Sequence, residues 1–167
     1  MKMGNLDRLW APWRSGFVSH RGRRRCIFCV ASASRADRQH HVIARGERVF
    51  ALLNRYPYNN GHLMIAPYRH VGSLESLRMA EWAESLRMGQ RFTKRLATLL
   101  HPHGFNIGLN LGRVAGSGVP GHLHLHLVPR WNGDTNFMPV LADTKLISQS
   151  LDELYTLLAA HRKRASD

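Results

Sequence analysis

The run Gly121-His-Leu-His-Leu-His-Leu-Val-Pro-Arg130 constrains this chain more than any other stretch. Strict alternation from His122 to Leu127 has the period of a β-strand, which predicts His122, His124 and His126 on one face and Leu123, Leu125 and Leu127 on the other. The leucine face is expected to bury against a helix layer, and the imidazole face to lie away from the core. A solvated strand that happens to be His-rich is the plainest account, and two chemical accounts compete with it. At about 3.3 Å per residue, His122 and His126 stand roughly 13 Å apart, too far to bind one zinc at about 2.1 Å. A neighbouring pair could share an ion, which leaves the third imidazole unexplained. In the alternative, a neutral imidazole attacks phosphorus while its neighbours hydrogen-bond the phosphate oxygens.

The residues just upstream favour phosphate. Asn110-Leu-Gly-Arg-Val-Ala-Gly-Ser-Gly-Val-Pro-Gly121 carries glycines at 112, 116, 118 and 121 and leads directly into the His strand. Glycines allow backbone N–H groups to turn inward and approach an anion closely. The stretch is neither a Walker loop nor a dinucleotide fingerprint, because no Lys-Ser/Thr follows and the next element is a strand. By itself it reads as a hairpin connection.

The His-Leu-His-Leu-His-Leu-Val segment resembles the signature of the histidine triad (HIT) superfamily of nucleotide hydrolases and transferases. Similarity extends to Leu9-Trp-Ala-Pro-Trp-Arg14, Cys26-Ile-Phe-Cys29, the stretch from Asn54 to His70, and Pro129 to Phe137. These resemble the prokaryotic branch near dinucleoside polyphosphate hydrolases and phosphorylases, over about residues 6–160. The resemblance implies an α+β, HIT-like fold and a homodimer joining two sheets. It implies catalytic roles for His124 as nucleophile and for His126 and His62 at the phosphate oxygens. Asn54, Asn110, Gly116, Ser117 and Gly118 become the substrate-binding residues, Asn54 on the ribose side and the amides of 116–118 on phosphate. One departure stands out: many relatives carry Ser or Thr three residues before the first triad His, where this chain has Val119, with a hydroxyl at Ser117.

The chain's two cysteines form one Cys26-x-x-Cys29, which argues against a secreted disulfide scaffold. A redox pair normally sits in a thioredoxin-like pattern that is absent here. Zinc asks for four ligands, of which this motif supplies two, and cysteines also pack as small apolar residues. A zinc-bearing branch of the superfamily completes such a site with a His after the Pro-x-x-His turn and the first triad His. The resemblance therefore implies a structural zinc on Cys26, Cys29, His70 and His122, which frees His124 for chemistry.

A chain of 167 residues suits one domain, expected over 26–163 with an N-terminal arm (1–25) and a short tail (164–167). Trp10 and Trp13 predict an ordered arm, and Arg21-Gly-Arg-Arg-Arg25 a solvated segment or a contact for RNA or polyphosphate. A net charge of +13 favours anionic partners. No apolar run approaches a membrane span and no signal-peptide core opens the chain, so the cytoplasm is expected.

Strands are expected at 41–45, 48–53, 62–66 and 105–111, ahead of the His strand. Met79, Trp82, Leu86, Gly89, Phe92, Leu96 and Leu99 recur at helical spacing from about Ser76 to Leu100, where Pro102 and Gly104 stop the helix. Ser150-x-x-Glu153 opens a C-terminal helix to about His161, with Leu151, Leu154, Leu157 and Leu158 inward. His20, His40, His41, His101 and His103 read as surface residues. The sum is a mostly antiparallel five-stranded sheet with one long and one C-terminal helix.

The function that the resemblance implies is cleavage of a dinucleoside polyphosphate, such as diadenosine tetraphosphate, through a nucleotidyl-His124 intermediate. The second acceptor is water or inorganic phosphate, and magnesium would arrive with the substrate. A non-catalytic nucleotide sensor would use the same pocket. A nucleic-acid module would use the charge, but no RNP, KH or zinc-knuckle pattern is present.

Overall fold

In the computed structural model, residues 25–135 and 147–164 are described. The tryptophan arm, most of the Arg21–Arg25 run and the end of the Pro129–Phe137 stretch lie outside them. Along the chain run α1 (Ile27–Ala33), β1 (Val42–Arg45), β2 (Val49–Leu53), β3 (Leu63–Pro67), α2 (Met79–Leu100), β4 (Gly104–Leu109), β5 (Leu125–Arg130) and α3 (Leu151–Arg164). The sheet is antiparallel throughout, in the order β1-β2-β3-β5-β4. Among the described residues no helix is long and apolar enough to cross a membrane.

The period of two sorts the strand residues onto two buried faces. Val49, Ala51, Leu53, Leu63, Ile65, Leu125 and Leu127 pack beneath Met88, Phe92 and Leu96 of α2 and Leu154 and Leu158 of α3. Their neighbours Phe50, Leu52, Met64 and Ala66 pack with Val42 beneath Phe28 and Ala31 of α1. That second layer overturns one expectation. The imidazoles are not open to solvent: His122, His124 and His126 are all buried, and the expected His strand starts only at Leu125, so that His122 and His124 precede β5 and His126 alone lies in it. The short helix responsible is α1, whose seven residues show too little periodicity to register in the sequence.

Helix ends follow local chemistry. Ser150 and Glu153 make the reciprocal cap expected of them, Glu153 N–H to Ser150 Oγ at 3.2 Å and Ser150 N–H to Glu153 Oε2 at 3.1 Å. In α2 the buried stripe runs through Glu81, Ser85, Met88, Gly89, Phe92 and Leu96, so Met79 and Leu86 of the expected stripe face outward. Trp82 packs against the core, as its spacing suggested. The stripe turns because Glu81 goes inward to meet Arg69, whose guanidinium donates to both carboxylate oxygens at 2.7 and 2.6 Å. This clamp holds the carboxyl below its usual range and anchors the segment that carries His70. α2 ends on His101 in the left-handed region (φ 48°), one residue before Pro102.

Candidate active site

The turn Asn59-Asn60-Gly61 brings the first catalytic candidate into place. Gly61 has φ +76°, and a Cβ there would lie 2.8 Å from Leu100 Cδ1, so this turn demands glycine. Asn59 Nδ2 ties the turn to the end of β5 through the Pro129 carbonyl (3.1 Å) and Asp134 (2.8 Å). His62 follows, on the same face as Met64, which is the register partner of His126. The two imidazoles meet with His62 Nε2 2.8 Å from His126 Nδ1.

The network assigns the protons. Tyr58 N–H can only donate, and it donates to His62 Nδ1 at 3.0 Å. Asn54 Nδ2 approaches the same nitrogen at 3.3 Å, while its Oδ1 accepts from Tyr56 N–H. His62 Nδ1 is therefore an acceptor, Nε2 carries the proton, and His62 donates to His126 Nδ1. A neutral His126 then holds its own proton on Nε2. Tyr58, which the sequence reading did not single out, also stacks on His126 with ring centroids 5.7 Å apart.

His124 is oriented independently. Its Nδ1–H donates to the His122 carbonyl at 2.8 Å, which leaves the lone pair on Nε2. Burial lowers its pKa, the carbonyl bond opposing, so the ring is neutral near pH 7. His126 lies against it, centroids 4.6 Å apart. A cleft of about 900 Å³ opens over this pair, lined by Ile27, Phe28 and Leu52 together with Gly116, Ser117 and Gly118. Asn54 lines it; His62 sits behind His126, and Asn110 lies behind the glycine loop rather than on the cleft. His40 and His41, read as surface residues, are half-buried on the cleft wall with Gln39 and Asp152. His41 has φ +53° and sits against Tyr155 of α3, a tertiary contact with no sequence signal.

The glycine loop differs from a simple ring of inward amides. Gly116 N–H donates to the Arg113 carbonyl (3.0 Å) and Ser117 N–H to that of Gly112 (3.3 Å), closing the turn. Among the described residues 116–118, this leaves only the Gly118 amide unengaged, together with the Ser117 hydroxyl at a buried position on the cleft. Val119 lines the same cleft and packs against the cluster around Phe28.

Behind the triad, one ligand atom from each of Cys26, Cys29, His70 and His122 lies within 4.8 Å of the others. His122 Nε2–H donates to the Pro67 carbonyl (2.9 Å), so Nδ1 keeps its lone pair for the thiols. The Sγ···Nδ1 separations are 3.3 Å (Cys26–His122), 3.2 Å (Cys29–His70) and 3.6 Å (Cys29–His122). A zinc tetrahedron with two thiolates and two imidazoles has S···N edges of about 3.5 Å, close to these three separations, so the donor set and its spacing suit that ion. Burial raises the Cys29 thiol pKa, with Cys26 adding to the effect, a cost that a dication would reverse. The two centres touch at two points: the His122 carbonyl holds His124, and the Phe28 ring lies 5.0 Å from His122 and 4.7 Å from His124.

This geometry has relatives. The family model described as HIT domain matches residues 35–133. The chain is 41% identical, over 95% of its length and 86% of the relative's, to the AP-4-A phosphorylase of Mycobacterium tuberculosis. A Zn-bound histidine triad family protein from Mycobacterium smegmatis superposes with a TM-score of 0.66 at 27% identity, covering 85% of this chain and 97% of that one. A Plasmodium falciparum diadenosine triphosphate hydrolase shares the fold at a TM-score of 0.60 and 18% identity, over 76% and 79% of the two chains.

Proposed function

The chain belongs to the HIT domain family, and from that premise we propose that it is an enzyme that cleaves dinucleoside polyphosphates such as diadenosine tetraphosphate, with inorganic phosphate as the second acceptor. The observation that carries this reading is the buried, neutral His124, whose Nδ1–H is held by a carbonyl so that Nε2 keeps a lone pair at the cleft. His124 Nε2 attacks the α-phosphorus and forms a P–N bond, while the α–β bridging oxygen leaves with the electron pair as a nucleoside triphosphate. The Nε2–H of His126, His62 behind it, the Gly118 amide and the Ser117 hydroxyl hold charge that grows on the phosphoryl oxygens. Asn54 faces the ribose from the cleft wall. The similarity to a phosphorylase favours phosphate over water as the species that then releases the nucleotide from His124.

A structural zinc belongs to the reading. Bound to Cys26, Cys29, His70 and His122, it would neutralise the thiolates and pin the start of α1 to the segment before β5. The free thiols it needs suit a reducing compartment, the cytoplasm. A homodimer is also part of the reading: β4 is an edge strand whose Ile107 is 53% exposed, a surface suited to a second copy.

Product analysis tests the function. Diadenosine tetraphosphate is incubated with wild type and His124→Ala, with and without inorganic phosphate and magnesium. ADP plus ATP only when phosphate is supplied, and lost in the variant, is the expected result. AMP plus ATP would make the enzyme a hydrolase, and binding without products a sensor.

A further inference from the structure

We propose that the Arg113 guanidinium binds the phosphate next to the reacting phosphorus, first the β-phosphate of the departing nucleotide and then the incoming inorganic phosphate. The inference rests on the double displacement at His124 described above.

Arg45, Arg48, Arg69 and Arg130 are each spent on a carboxylate. Arg113 and Arg55 line the cleft that contains His124 and His126, and among the described residues no carboxylate pairs with either; Arg55 lies near His41, whereas Arg113 belongs to the glycine loop. Asp152 is the one acid on the described cleft wall, beside His41. Left-handed glycines on either side, Gly112 at φ +78° and Gly116 at φ +86°, fold the loop so that Arg113 rises from the same turn that presents Gly118 and Ser117. Because this turn uses the amides of Gly116 and Ser117 for its own closure, backbone donors alone do not match the charge of a polyphosphate. A guanidinium with its five donors does.

Chemistry then decides which phosphate it meets. Displacement at phosphorus runs in line, with attacking and leaving atoms on opposite sides. In the first step His124 Nε2 enters on one side and the bridging oxygen leaves on the other. In the second step an oxygen of hydrogen phosphate forms the new P–O bond, the P–N bond breaks, and the electron pair returns to Nε2. The proton of the hydrogen phosphate goes to solvent, and the product is a nucleoside diphosphate. His124 is now the leaving group, so the acceptor must enter opposite it, where the bridging oxygen departed. The two phosphates therefore occupy one subsite. A cation there favours a dianion over water and so selects phosphorolysis over hydrolysis.

The experiment compares wild type, Arg113→Ala and Arg113→Lys on two substrates, diadenosine tetraphosphate and the 4-nitrophenyl ester of AMP, whose leaving group has no β-phosphate. For Arg113→Ala the KM for inorganic phosphate should rise about tenfold or more, the loss of one charge-assisted contact, and the ADP:AMP product ratio should fall. Single-turnover release of ATP should suffer more than release of nitrophenol, by about that same factor. Arg113→Lys should recover part of each effect, because it restores a point charge without the fork. An unchanged phosphate KM and product ratio would overturn the proposal, as would equal losses on both substrates, which would mean general damage to the loop. If wild type itself makes AMP whatever the phosphate concentration, the acceptor assignment falls and this proposal with it. If wild type makes ADP and Arg113→Ala is unaltered, only this proposal falls.

Discussion

Replacing His62 by phenylalanine cuts the imidazole relay in its middle while nearly conserving volume. His62 is 1% exposed, so water does not replace what is lost. The change removes the acceptor of Tyr58 N–H at 3.0 Å and the donor to His126 Nδ1 at 2.8 Å. Two such bonds at about 1 kcal/mol each, with part of the penalty for a stranded amide, put the stability cost at about 2–4 kcal/mol. Against a total of about 5–15 kcal/mol the protein stays folded, and urea titration would read the difference directly. The catalytic cost has a different origin. With no proton arriving at Nδ1, His126 is free to put its own proton there and to present a lone pair instead of a donor to the phosphoryl oxygens. Loss of one such donor costs about 10²–10³ in kcat. Nitrogen-15 shifts of the His126 ring separate the two tautomers, and single-turnover ATP release gives the rate. A His62→Phe protein that keeps His126 protonated on Nε2 and reacts at the wild-type rate would refute the assignment of protons along the relay.

Other consequences are as direct. His124 is buried with a lowered pKa, so below the ordinary histidine pKa of 6.5 the unfolded chain binds the extra proton. Its contribution to stability is then complete above 6.5 and is lost as pH falls toward the folded value; the acid limb of kcat should likewise lie below 6.5, which pH-resolved unfolding and kinetics would check. Chelation, or Cys26→Ala, should remove zinc measured by metal analysis. At a thousandfold excess of free metal over Kd the lost stabilisation is about 4 kcal/mol, roughly 8–16 °C in Tm, and a metal-free protein of unchanged Tm would contradict the assignment. Gly61→Ala forces a left-handed alanine against Leu100 and Pro129, so about 2–4 kcal/mol should be lost in urea titration.

Much of the site could be read in advance because its signals are local. The alternation of His122 to Leu127, the capping pair Ser150 and Glu153, and the glycines around Ser117 each act within a few residues, where steric and hydrogen-bonding rules dominate. Readings failed where a partner lay far along the chain. Met79 and Leu86 were expected inside, but Glu81 turned the helix toward Arg69. His40 and His41 were set aside as surface residues, and only the packing of α3 against β1 makes them a cleft wall. The amides of Gly116 and Ser117 are a local exception: the turn between two left-handed glycines claims them for the Arg113 and Gly112 carbonyls, three and five residues back.

By itself the sequence determined the alternation of imidazole and leucine that sets His122, His124 and His126 apart from the leucines. Only His126 lies within β5; His122 and His124 stand in the segment that leads into it. Which nitrogen of each ring is free is another matter, because an imidazole's proton goes where its partner accepts it. Those partners are the Pro67 carbonyl for His122, the His122 carbonyl for His124, and Tyr58 acting through His62 for His126. All but one belong to other segments of the chain. Tertiary structure alone therefore turned three equivalent histidines into a candidate metal ligand, a nucleophile and a hydrogen-bond donor.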